Sequence, residues 1–178
     1  GALQIPFYIL GIVTARVEVG FSNHGTLTIG GDLLNTGFVG LDWEAFSLEG
    51  GSGLTVTGTL VDNGAMTVGI VSGGLSATTT VTAGALAGSG SLTIAGNGTN
   101  QAAVYMLAAA PSVLGLNATL NDNATLQFAS GLIGTIASGK TLRLNGARAV
   151  VSDASDPATN SALTGLSLIA GAMQLVNG

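Results

Sequence analysis

Apolar and polar residues alternate along most of the chain, in short runs closed by glycine. Gly25-Thr26-Leu27-Thr28-Ile29-Gly30 sets the pattern. It returns as Gly53-Leu54-Thr55-Val56-Thr57-Gly58, one residue out of phase, as Gly64-Ala65-Met66-Thr67-Val68-Gly69, and as Gly90-Ser91-Leu92-Thr93-Ile94-Ala95-Gly96. Looser copies are Ala124-Thr125-Leu126-Gln127-Phe128 and Lys140-Thr141-Leu142-Arg143-Leu144. A period of two buries one set of side chains and wets the other, so each copy predicts a half-buried strand. Threonine at the wet positions keeps β-branched stiffness and solubility. Helix is disfavoured because glycine recurs every few residues. The Ala-rich stretch from Gln101 to Ala110, stopped by Pro111, suits either a short helix or a buried strand; we read it as a strand.

Turn signatures separate the copies: Leu34-Asn35-Thr36-Gly37, Val61-Asp62-Asn63-Gly64 and Leu120-Asn121-Asp122-Asn123. Asn, Asp and Gly tolerate left-handed backbone and bond locally to it. The same residues make hairpins and solenoid corners, so the turns alone leave both open. Spacing favours the solenoid. Taken as equivalent, Leu27, Met66, Leu92, Leu126 and Leu142 recur irregularly, at separations near one or two turns of roughly 20 residues. A sandwich would bring a larger aromatic core, whereas aromatics are 4% here. The expectation is an all-β solenoid, a single stack of about eight turns forming a rod roughly 40 Å long. Residues 21–178 form the solenoid domain on this reading, and residues 1–20 an N-terminal strand or junction segment.

Composition sharpens the picture. Hydrophobic residues are 47% of the 178, ample for a core, but only 7% are charged, against about 25% in average proteins. Glycine numbers 29. The polar surface must therefore come from Thr, Ser, Asn and backbone, which suits tight stacking of near-identical strands. Four Lys and Arg in a chain of net charge −5 argue against nucleic acid and anionic lipid as partners. There is no cysteine, hence no disulfide or thiolate chemistry; this fits a chain that crosses membranes unfolded. The apolar run from Ile5 to Val13 is too short to span a bilayer as a helix and has no basic stretch before it. It is expected to be a buried strand or a junction, with no membrane insertion of this segment.

The stretch Thr78-Thr79-Thr80-Val81-Thr82-Ala83-Gly84-Ala85-Leu86-Ala87-Gly88-Ser89-Gly90-Ser91-Leu92-Thr93-Ile94-Ala95-Gly96 resembles the repeats of bacterial autotransporter passengers. It is closer still to the long "beta strand repeat" surface proteins of Gram-negative bacteria. Gly134 to Ala147 and Asn160 to Leu166 carry the same likeness, which covers most of residues 21–178. The resemblance implies a right-handed parallel β-helix, export to the cell surface and an adhesin-like role. The first 20 residues depart from the pattern.

Candidate chemistry is sparse. β-Helices also house carbohydrate-active enzymes, which need two carboxyls about 5–9 Å apart across a sugar bond. Asp42 and Glu44 flank Trp43, as a sugar platform would, and Asp153 with Asp156 is a second pair. A solvated polar loop from Leu41 to Glu49 is the stronger reading of the first pair, and turn chemistry explains the second better still. Asp42, Trp43 and Glu44 are the surface-contact candidates. His24, the single histidine, reads as part of a turn and cannot form a zinc cluster. Gly50-Gly51-Ser52-Gly53-Leu54-Thr55 begins like a calcium-binding solenoid repeat, but Thr55 stands where an Asp is needed. No metal, cofactor or catalytic residue is expected. Thr55-Val56-Thr57 and Thr78 to Thr82 suggest exposed threonine rows.

The leading expectation is a structural or adhesive solenoid segment of a large secreted or cell-surface bacterial protein. Its partners would be host or matrix glycans or proteins, and neighbouring repeats or subunits stacked end to end. One alternative is a subunit of an extracellular filament or phage fibre, with residues 1–20 as the exchanged strand. Another is a carbohydrate-active β-helix enzyme.

Overall fold

The computed structural model describes residues 11–13, 16–19, 24–43, 50–70 and 74–177, with side chains from His24 onward. Its strands stack in parallel as a β-solenoid of about five turns, with almost no helix. One long ladder contains Gly11–Val13, Thr26–Ile29, Leu33–Asn35, Gly53–Asp62, Thr79–Ala87, Ala102–Ala109, Ala124–Ser130 and Val150–Asp153. The second runs through Arg16–Val19, Phe38–Leu41, Ala65–Gly69, Ser91–Ala95, Asn117–Asn121, Thr141–Asn145 and Ala172–Val176. A short third face joins Val113–Leu114, Thr135–Ile136 and Leu168–Ile169. Gln101 to Ala110 is strand, as read from the sequence, over Ala102–Ala109.

The turns are longer and fewer than expected. Ala102 pairs with Ala124, Leu33 with Leu60 and Thr141 with Ala172, which are 22, 27 and 31 residues on. The apolar positions taken as equivalent belong to two different ladders. Leu27 lies in the column Leu54, Val81, Val104, Leu126 and Val151. Met66, Leu92 and Leu142 lie in another, with Val39, Ala118 and Met173. Each turn crosses both ladders, so a pattern that cannot tell them apart samples the period at irregular intervals. The inward columns fill the interior. Leu54, Val81, Val104, Leu126 and Val151 are all buried, as are Met66, Leu92, Ala118 and Leu142.

The Asn- and Gly-containing signatures are corners between ladders, and every strand pair among the described residues is parallel. Successive rungs come so close at these corners that glycine is obligatory. A Cβ on Gly64 would lie 2.2 Å from the Gly37 carbonyl oxygen, and one on Gly90 2.3 Å from that of Gly64. The obstacle is backbone of the rung below, which has nowhere to move. At the exit of the second ladder the chain turns through left-handed backbone, with φ of 45° at Asp42, 82° at Gly69, 53° at Asp122, 107° at Gly146 and 54° at Asn177. The residues in left-handed backbone there are all Gly, Asn or Asp, which reach this region at least strain.

Of residues 1–20, Gly11–Val13 and Arg16–Val19 join the ladders by pairing with Leu33–Asn35 and Phe38–Leu41. The rest of that segment lies outside the described residues.

Candidate functional site

Asp42 follows the strand Phe38–Leu41 at the left-handed corner. The turn carries its side chain inward, where it is 2% exposed. The Ser52 backbone N–H donates to Oδ2 at 3.0 Å and the Ser52 hydroxyl to Oδ1 at 2.6 Å. The Thr79 hydroxyl, from the following turn, donates to Oδ2. Ser52 and Thr79 are themselves buried. A buried carboxylate survives where donors replace its lost water, and these three join residues 42, 52 and 79 across successive passes of the chain. Trp43 is half-buried and meets Phe38 edge-on, ring centroids 4.8 Å apart. Gly40 makes room for it: a Cβ there would lie 2.3 Å from the indole Cδ1. Glu44 lies outside the described residues. The structure thus places Asp42 inside the solenoid as a staple, not on the surface where a sugar would meet it.

The second acidic pair sits elsewhere, in an exposed turn after the strand Val150–Asp153. The Ser155 hydroxyl and backbone N–H both donate to Asp153 Oδ1, and these bonds hold its carboxyl below the usual range. Asp156 accepts from the Thr159 hydroxyl at 2.7 Å. Both carboxylates are engaged in turn chemistry. His24 Nδ1 donates to the Gly50 carbonyl, 26 residues on, while Asn23 of the turn read from the sequence lies outside the described residues.

Sequence reasoning missed a second buried acid. Asn35 and Asp62 are in register on adjacent turns and fully buried. The Asn35 amide donates to Asp62 Oδ1 at 2.7 Å and to the Ala65 carbonyl at 2.9 Å, while its own oxygen accepts from Gly37 N–H. Asp62 Oδ2 has no partner among the described residues. Burial pushes the Asp62 carboxyl above its ordinary range, against the bonds from Asn35 and the Gly64 backbone that pull it down. The signal was present in the matching segments Leu33-Leu34-Asn35-Thr36-Gly37 and Leu60-Val61-Asp62-Asn63-Gly64. A third polar stack links Asn121, Asn145 and Asn177, whose amides bond from one turn to the next at 3.0 and 2.9 Å.

The outer face carries uncharged columns. Thr67, Thr93 and Thr119 stack on the second ladder, followed by Arg143. Thr28, Thr55 and Thr82 stack on the first, followed by Tyr105. The threonine rows therefore extend three rungs and then change character. An apolar recess of about 260 Å³ lies between Leu86, Pro111, Val113 and Leu116. Among the described residues no group of three or more His, Cys, Asp or Glu could hold a metal ion, and no helix is long and apolar enough to cross a membrane. Compared with family models, curated proteins and solved structures, the chain gives no significant match.

Two substitutions test these assignments. Asp42→Ala orphans three buried donors at about 1–3 kcal/mol each, so it should destabilise by about 3 kcal/mol or more, lowering Tm by roughly 6–12 °C. Asp42→Asn, which tolerates the left-handed corner and keeps one acceptor, should lose less than half as much. Thermal melts check this, and an alanine variant within about 0.5 kcal/mol of the parent would show that the carboxylate holds nothing together.

Asp62→Asn removes a buried charge and keeps the Oδ1 acceptor. Because burial raises the folded-state affinity of Asp62 for a proton, the parent gains stability as pH falls through the raised value and has lost that gain above it. The variant should be more stable than the parent by on the order of 1 kcal/mol at neutral pH. Melts across acid pH should show the gap closing toward pH 4. A gap that widens with acidity would mean that the native state favours the charged form.

Proposed function

We propose that the chain is a structural or adhesive β-solenoid segment of a larger secreted or cell-surface protein, of the kind found in bacterial autotransporter passengers and beta strand repeat proteins, and that it is not an enzyme. The observation that carries the reading is the continuous parallel ladder, in which polar side chains, some of them buried, join one turn to the next. Asp42, Asn35 and the Asn121–Asn145–Asn177 stack all make such bonds. Polar chemistry that an enzyme would present in a cleft is here used to hold rungs together.

The outer columns suit such a role. Thr67, Thr93 and Thr119, beside Ser91 and Asn117 on the same ladder, offer regularly spaced hydroxyls and amides with few charges. Surfaces of this type make hydrogen bonds to glycans or proteins without long-range charge steering. A backbone ladder with stacked Leu, Ile and Val gives a folded state without disulfides, consistent with folding after export.

Localisation is the direct test. Antibodies raised against residues 74–177 should label intact producing cells, or appear in their culture medium, without permeabilisation. Labelling that requires permeabilised cells, with none in the medium, would contradict the proposal.

A further inference from the structure

The first ladder closes on its own chain. Its strand Val150–Asp153 pairs with Ala124–Ser130 on one side. The amides of a strand point alternately to its two edges, so those of Val151 and Asp153 share one edge. Both spend their N–H on side chains further along. Val151 N–H donates to Asn160 Oδ1 at 2.8 Å, and Asp153 N–H to the Ser161 hydroxyl at 2.9 Å. On the same edge, the Asp153 carbonyl accepts from the Asp156 N–H at 3.3 Å. The edge turned away from Ala124–Ser130 is therefore occupied.

An added segment does this. The rung below passes from Ser130 to Thr135 directly, whereas this rung takes residues 154–167 to reach Leu168–Ile169 on the third face. Residues 154–160 are exposed. Their excursion is shaped by the bonds from Ser155 to Asp153 and from the Thr159 hydroxyl to Asp156. The chain then returns and seats, with Ser161 and Ala162 buried. The Ser161 hydroxyl, while accepting from Asp153, donates to the Asp156 carbonyl at 2.8 Å. The Ala162 carbonyl accepts from the Ile133 N–H of the rung below at 2.8 Å. The short 3-10 turn Ser161–Leu163 touches both Val150–Asp153 and Ala124–Ser130. Ser152 shows the effect on the outer face. It continues the column of Thr55, Thr82, Tyr105 and Gln127, all exposed or half-buried, yet is itself fully buried.

We propose that residues 154–163 form a strap that terminates the first ladder. While the strap is seated, no strand, of this chain or of another, pairs with the outer edge of Val150–Asp153. An open edge templates strand addition, and a loop laid over it is one way to prevent that. Here the cover is made by side chains: an amide oxygen and a hydroxyl take the places that backbone carbonyls of a further rung would fill. Pairing at this edge requires the strap to lift, which breaks its bonds to Val151, Asp153 and Ile133 and bares Ser161 and Ala162. The inference concerns the ladder itself and stands apart from the proposed cell-surface role.

Hydrogen exchange of single amides in the purified chain tests it. With intrinsic rates accounted for, Val151 and Asp153 should exchange more slowly than the exposed Ala154 and Ala158 by about tenfold or more. The rates should not change when the protein is diluted. Asn160→Ala should speed exchange at Val151 by about tenfold, and Ser161→Ala should do so at Asp153, with the Leu126 amide of the rung below unchanged as the measure of an intact fold. Asn160→Asp, which keeps the acceptor, should retain the protection of Val151. Fast exchange at Val151 and Asp153 in the parent would overturn the proposal, because the strap would then not be seated. Protection that survives both alanine substitutions would overturn it as well, since something other than these side chains would hold the edge. Protection lost on dilution would overturn it in favour of a second copy of the chain paired there.

Discussion

Adjacent rungs of a parallel ladder sit about 4.8 Å apart, and nearly every feature of this chain answers to that spacing. Whatever occupies one position must fit against its equivalents above and below. Inside, this selects aliphatic side chains that nest in columns, such as Leu54 under Val81 and Val104. At the corners it leaves no space for a Cβ, so Gly64 lies against Gly37 and Gly90 against Gly64. Two of the polar groups carried inside find partners on a neighbouring rung, Asn35 on Asp62 and Asp42 on Thr79.

The same spacing gives a physical account of the scarcity of charge. Like charges on successive rungs would repel by roughly 3–4 kcal/mol at an effective dielectric near 20. Threonine and asparagine avoid the problem because each is both donor and acceptor and can bond to a copy of itself. The Asn121–Asn145–Asn177 stack does so. Asp62 shows the limit of tolerance: it stacks on Asn35, not on another acid, and burial favours its neutral form. Net charge, composition and buried chemistry therefore share one cause.

Much of the fold was legible because the period-two pattern and the turn residues state it locally. The strands at Thr26–Ile29, Ala65–Gly69, Ser91–Ala95 and Thr141–Asn145 stand where alternation puts them. Turn length was not legible, because Leu27 and Met66 present the same local pattern on different ladders. Nor was the choice between hairpin and corner at Asn121-Asp122-Asn123, since local chemistry satisfies both and only long-range pairing decides. Asp42 was visible as an unusual residue, but its direction was not. The alternation of Phe38–Leu41 ends at the corner, where φ of 45° at Asp42 redirects the chain. Asp62 was hidden for a different reason: a buried acid and a solvated turn acid have the same sequence signature.

In-register parallel stacking is the claim on which all of this depends, and cysteine pairs in the cysteine-free chain test it most directly. Thr93 and Thr119 are in register on adjacent rungs, within the Cα separation of about 4.4–6.8 Å that a disulfide needs. Thr119 and Thr125 lie on different ladders, although a hairpin closed through Asn121-Asp122-Asn123 would set them opposite each other. Quantified under mild oxidation of monomeric protein, Thr93→Cys with Thr119→Cys should close an intramolecular disulfide with the fold intact, and Thr119→Cys with Thr125→Cys should not. The reverse outcome would contradict the parallel ladder and the account built on it.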